Sequence, residues 1–366
     1  MPCVLAALLC LTCPTARAYG PDGHKIVGAI ADERLANTPV GIKLRSLLQG
    51  FSLEQAAVIP DEIKGWDKKG VDAPDIFRYT ARPLVDAQLA NFWRANPPTH
   101  DHSSPVPSHH WFHYTDVPLR KVQHYRDGKF GRSEWDIVQM IRYCLRVLRG
   151  DEPEDNPRKI TKTIAIILLA HFVGDIHQPL HVGAEYFDAQ GNPVDPDESP
   201  GALEDQGGNT ITMRHTVPAA HKFAVAYSKL HGFWDGPTVT SNLPDFSALP
   251  KEERRDKNDA ARRALALEFA RDEPKAWRLP AEVKPEDYAE SWADEIMPLA
   301  REAHSRLIIS DVRPQKQEHG TVAISLAEER PMPDGLAYHV WAAAVVGEEL
   351  HKAGWRLADL LEQALR

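Results

Sequence analysis

Residues 158–176 read RKITKTIAIILLAHFVGDI. From Ile160 onward the stretch is apolar almost all round, with no polar stripe to turn toward water. A helix of that kind belongs inside a core. Its neighbours repeat the helical period. Val27, Ile30, Ala31 and Leu35 fall on one face, and Trp135, Val138, Ile141, Leu145 and Leu148 on another. The segments 53–66, 217–230, 250–271, 285–305 and 337–365 also read as helices. Alternating patterns are scarce, with 210–214 and 322–326 the best short strands. The expected architecture is therefore all-α: a mainly helical single domain over 19–366 with a few short strands. Two stretches read as long loops. One is 95–110, with four Pro and four His; the other is 182–208, rich in Gly, Pro and Asp.

The 366 residues carry 43 Lys+Arg against 52 Asp+Glu, a formal net charge of -9, with 43% hydrophobic and 26% charged residues. This is a globular composition. An acidic chain does not bind nucleic acid through a broad basic surface, so any such attraction must be local. The 17 His point toward metal chemistry. The chain opens MPCVLAALLCLTCPTARA. The apolar run 4–13 is too short to span a bilayer, and Ala16-Arg17-Ala18 has the small-x-small cleavage pattern. A signal peptide over 1–18 is expected, cut after Ala18 to leave Tyr19 first, and no other stretch approaches a membrane span. Cys3, Cys10 and Cys13 leave with it. Cys144 remains alone, so no internal disulfide can form. A metal cluster can supply the missing cross-links, because metal-binding free energy is also folding free energy.

In LAHFVGDIHQPLH, His171 and Asp175 are four residues apart on one helical face; Pro179 breaks the helix and His181 follows. In KLHGFWDGP, His231 and Asp235 repeat the four-residue spacing. Such groups on an apolar helix are costly unless paired or metal-bound. Either pair alone reads as a satisfied hydrogen bond; two pairs plus an offset His favour metal. Three weaker candidates then join them: His24 in YGPDGH, Asp61 after Pro60 in QAAVIPDEIKGW, and His113 with Asp116 in HHWFHYTDV.

This ordered series resembles the secreted zinc-dependent single-strand nucleases with 3′-nucleotidase activity (type I nucleases, including mung bean nuclease), which share the phospholipase C/nuclease fold. HFVGDIHQPLH, the later GGN at 207–209 and the C-terminal GWRLADLLE carry the resemblance, which runs from Tyr19 to the end. It implies three zinc ions per chain. One is held by Asp61, His113, His171 and Asp175. A second is held by the amino nitrogen and carbonyl of Tyr19, by His24 and by the bridging Asp175. The third is held by His181, His231 and Asp235. The family usually begins with Trp where this chain has Tyr19; the ligating atoms are backbone, so correct cleavage matters more than the side chain.

The implied activity is endonucleolytic hydrolysis of single-stranded DNA and RNA to 5′-nucleotides, together with action on 3′-nucleotides. Two metals about 3.5–4 Å apart share a hydroxide that attacks phosphorus. Catalysis then rests on Asp61, Asp175 and Lys64, the last neutralising transition-state charge. The resemblance also implies a base pocket of Tyr114 and Asp116, with Asn209 as a further contact. Stacking contributes about 1–3 kcal/mol per base, and the need for a flipped base favours single strands. Loop 182–208 is longer than in fungal and plant members. A monomer that is secreted or periplasmic is expected, with no membrane attachment after cleavage. The alternative is a zinc phospholipase C, which typically has Glu where this chain has Asp235. A purely structural metalloprotein would need closed coordination, and these ligand sets leave positions open.

Overall fold

The computed structural model describes residues 19–98, 108–219, 222–317 and 320–366. The expected signal peptide lies outside them, as does most of the Pro/His-rich stretch at 95–110.

The helix Lys162–Asp175 runs through the middle of the molecule, and every residue from Thr163 to Asp175 is buried. Thr161 starts it by accepting the Ile164 backbone N–H at 3.2 Å. The helices Gly20–Leu35, Ile137–Arg149 and Tyr338–Leu365 pack around it. Asp136 caps Ile137–Arg149 through the Gln139 N–H, and Gly150 ends it at φ 86°. A single apolar cluster runs from Tyr19 to Leu365. At Gly354 the first and last helices touch so closely that a Cβ there would lie 2.5 Å from Ile30 Cβ.

The fold is mainly helical but not strictly all-α. Six strands are present among the described residues: β1 Tyr186–Phe187, β2 Leu203–Glu204, β3 Ile211–Ala219, β4 Lys222–Lys229, β5 Leu307–Gln317 and β6 Gly320–Glu329. The last four form one sheet in the order β4-β3-β6-β5. The two expected strand stretches lie side by side in parallel, with Ile211 beside Ser325 and Met213 beside Ala327.

The helix expected at 217–230 is corrected: β4 pairs antiparallel with β3, Thr212 opposite Lys229. Its alanines favour helix, but pairing with a neighbouring strand overrides so weak a preference. The 53–66 segment is also broken, into Leu53–Ala56, Ile59–Glu62 and a 3₁₀ turn Ile63–Trp66, because Pro60 starts a new helix instead of continuing the old one. The segment 182–208 is not a free surface loop. Val182 to Phe187 and Asp205 are buried, and β1 pairs with β2.

Candidate metal centre

Each candidate ligand is delivered by a local feature of the chain. His171 and Asp175 project from the last turn of the central helix. His181 follows in the 3₁₀ turn Pro179–His181, after Pro179 has stopped the helix. Asp61 lies in the short helix that Pro60 starts, and His113 ends the 3₁₀ turn His109–His113. β4 runs directly into the helix Leu230–Asp235, which carries His231 and Asp235. The strand that replaced an expected helix therefore aims the third pair.

The structure gathers three sets of donors. His24, His171 and Asp175 form one, Asp61, His113 and His171 a second, and His181, His231 and Asp235 a third; the first two share His171. Asp175 Oδ2 lies 3.0 Å from His113 Nδ1 and 3.2 Å from His171 Nε2, while its Oδ1 lies 3.2 Å from His24 Nε2. His171 Nε2 stands 3.9 Å from Asp61 Oδ1. In the third set His231 Nε2 is 3.0 Å from His181 Nε2 and 3.6 Å from Asp235 Oδ2. Two ligands about 2.0–2.1 Å from a tetrahedral ion stand roughly 3.3 Å apart, so these spacings suit a divalent metal.

The polar accounting favours the same fit. His24 Nδ1 and Nε2, Asp175 Oδ1 and Asp235 Oδ2 are buried with no hydrogen-bond partner among the described residues. Such orphans are rare and costly, and a bound cation would satisfy the inward-facing atoms. The outward ring nitrogens of three ligands are already committed. His171 Nδ1 donates to Ala57 O at 2.6 Å, His181 Nδ1 to His113 O at 2.7 Å and His231 Nδ1 to Gly207 O at 2.7 Å. In the neutral form each then turns its Nε2 lone pair inward. Burial and the neighbouring His181 push the His231 imidazole down to about 3, which keeps it neutral. Burial pushes the Asp61 carboxyl up, yet Lys64 and the nearby imidazoles outweigh it and hold it well below the usual range.

Several supporting residues escaped the sequence reading. Gln178 donates to Asp235 Oδ1 at 2.8 Å. Gly174 makes room for a ring: a Cβ there would lie 2.9 Å from His24 Nδ1. Gly207 adopts φ 56°, and a Cβ on it would lie 2.3 Å from Leu180 O, so the GGN turn holds the carbonyl that orients His231. Arg356 of the C-terminal motif donates to His177 Nε2 at 2.9 Å, and Tyr19 OH donates to the His177 carbonyl at 2.8 Å. The recognisable signal was the motif glycines themselves, whose role needs the third dimension.

Tyr19 is fully buried, and the Gly20 beside it lies against Asp235: a Cβ on Gly20 would sit 3.0 Å from the Asp235 carbonyl. Lys64 Nζ is 2.8 Å from Asp61 Oδ1. Tyr114 and Asp116 are half-buried. Burial, together with the Glu204 and Asp205 charges, raises the Asp116 carboxyl well above its ordinary value. Asn209 Nδ2 donates to Gln206 O at 2.9 Å, so one of its two amide hydrogens is used within its own turn.

A mainly helical chain with linked His/Asp donor sets buried at its centre defines a metal-dependent class of protein. The family model described as S1/P1 Nuclease matches residues 19–366, and the chain belongs to that family. It is similar to Endonuclease 4 of Arabidopsis thaliana, 29% identical over 150 residues, which cover 38% of this chain and 42% of that protein. Endonuclease 1 of the same plant is 25% identical over 249 residues, covering 66% and 61%. Endonuclease 2 is 24% identical over 284 residues, covering 75% and 73%. The first two matches thus span less than two thirds of those relatives.

Proposed function

We propose that the chain, as a secreted or periplasmic monomer beginning at Tyr19, is a single-domain zinc endonuclease. It hydrolyses phosphodiester bonds of single-stranded DNA and RNA to 5′-nucleotides and removes phosphate from 3′-nucleotides. The observation that carries this reading is the three buried donor sets, with His24, Asp175 and Asp235 atoms left without a hydrogen-bond partner among the described residues. Asp61, His113, His171 and Asp175 would hold one zinc. The Tyr19 backbone, His24 and Asp175 would hold a second. His181, His231 and Asp235 would hold the third. Bound zinc would supply Lewis acidity toward the phosphate and a water of lowered pKa.

The chain's own side chains do the rest. Lys64, tethered to Asp61 and only 13% exposed, places a positive charge where negative charge develops on the phosphoryl oxygens. Tyr114 stacks on a base, and Asp116 hydrogen-bonds its edge. Asn209 is a further contact through its carbonyl oxygen. No helix among the described residues is long and apolar enough to cross a membrane.

The test uses zinc-replete protein whose first residue is Tyr19. Single-stranded DNA, RNA and 3′-AMP should all be hydrolysed, chelator should abolish the activity and zinc should restore it. If all three remain intact, the reading is wrong. Hydrolysis of phosphatidylcholine alone would instead favour the phospholipase alternative.

A further inference from the structure

A fourth His/Asp cluster lies apart from the three donor sets. Asp67 follows the 3₁₀ turn Ile63–Trp66, and His109 and His110 open the 3₁₀ turn that ends at His113. His109 Nε2 lies 3.4 Å from Asp67 Oδ1, and His110 Nε2 lies 2.5 Å from Asp67 Oδ2. The two imidazoles meet edge to face, 4.7 Å between centroids. One donor atom from each of the three residues falls within 4.8 Å of the others, as in the central sets.

We infer that Asp67, His109 and His110 form a fourth divalent-metal site, suited to zinc, that clamps the two chain segments carrying Asp61 and His113. The inference does not depend on the nuclease reading. Its donors are two imidazoles and a carboxylate, the same chemistry as His181, His231 and Asp235. The 3.4 Å contact is close to the spacing of two ligands around one tetrahedral ion, while the 2.5 Å His110–Asp67 contact is a direct hydrogen bond that an entering ion would replace.

An outer partner is already in place. Trp93 Nε1 donates to Asp67 Oδ1 at 2.7 Å, which fixes the plane of the carboxylate. His109 is 2% exposed. The His110 side chain is 32% exposed, which leaves one side open for the ion to enter and for water to complete its coordination.

The clamp has a structural consequence. Asp61 and Asp67 sit at the two ends of one short segment, and His109 and His113 at the two ends of another. An ion at Asp67 and His109/His110 fixes the spacing of those segments, and with it the approach of Asp61 to His113. In a chain whose one described cysteine is the buried, unpaired Cys144, such a staple replaces a disulfide.

The test counts metal in zinc-reconstituted full chain by mass spectrometry, with His110→Gln and Asp67→Asn beside it. Each variant should lose about one equivalent of zinc, and the zinc-dependent rise in Tm should shrink in both. Zinc-edge anomalous diffraction should place an ion between the three side chains. An unchanged zinc count in a folded His110→Gln protein, or no anomalous peak at this cluster, overturns the inference. His110 is partly exposed and the replacement is conservative, so that variant decides the matter if Asp67→Asn fails to fold. Asp175→Ala in parallel reports on the central sets alone, so failure of one site is distinguishable from failure of the other.

Discussion

His24 Nε2 and Asp175 Oδ1 lie 3.2 Å apart in the core, yet neither has a hydrogen-bond partner among the described residues. A buried imidazole and a buried carboxylate facing each other in that way would each forfeit about 1–3 kcal/mol. The other oxygen of Asp175 faces His113 and His171. One carboxylate thus addresses two donor sets at once.

That relationship sets the first expectation. Asp175→Ala should remove two zinc ions together, while His231→Ala should remove one. Metal analysis of both proteins after dialysis is the check. Loss of a single ion from Asp175→Ala would show that the carboxylate does not bridge.

Gly174→Ala separates helix propensity from site geometry. In a helix interior, Ala is favoured over Gly by about 1 kcal/mol. The new methyl would stand 2.9 Å from His24 Nδ1 and 3.3 Å from Cε1, with the ring 3.7 Å from the stacked His171 behind it. The ring must move, so zinc affinity should fall about 10–100-fold, the usual cost of disturbing a ligand's support. Competition with a chromogenic chelator measures this. Unchanged affinity with a raised Tm would mean that the ring is not held there for metal.

Much of this centre was legible because its chemistry is written at helical spacing. His171 and Asp175 stand out against an apolar helix, and His231 with Asp235 repeats the interval. What was hidden depended on partners distant in the chain. The helix expected at 217–230 became β4 because β3 lies beside it. β5 gave no alternating signal because most of its residues face solvent. The carbonyls of Ala57 and His113 that orient two of the imidazoles carry no sequence mark at all.

Two proposed roles for Lys64 are separable by experiment, its Nζ lying 2.8 Å from Asp61 Oδ1 on a mostly buried side chain. If it neutralises charge that develops during phosphoryl cleavage, Lys64→Met should lower kcat by about 100–1,000-fold, the range seen when one such group is removed. KM should change little and the zinc count should stay whole, with Lys64→Arg restoring part of the rate. Steady-state kinetics beside metal analysis distinguishes this from the other role. Loss of zinc in Lys64→Met would make the lysine a support for Asp61.

The GGN turn predicts a pH dependence of stability that does not involve the metal ligands directly. His304 Nε2 lies 2.8 Å from Asp205 Oδ2, while Asp205 Oδ1 accepts the Gly208 and Glu185 N–H groups at 3.2 Å. This pair anchors the turn whose Gly207 carbonyl orients His231. Burial alone would lower the His304 imidazole, but the Asp205 charge and hydrogen bond, helped by Glu185, raise it to about 9 from 6.5. A histidine raised on folding contributes its full stabilisation below pH 6.5 and loses it as pH rises through about 9. The contribution is on the order of 1–3 kcal/mol for a buried pair. Wild type should therefore exceed His304→Gln in Tm at pH 6, and the gap should close progressively toward pH 10. Thermal unfolding of both proteins across that range is the measurement. A constant gap would show that the imidazole is not the charged partner of Asp205.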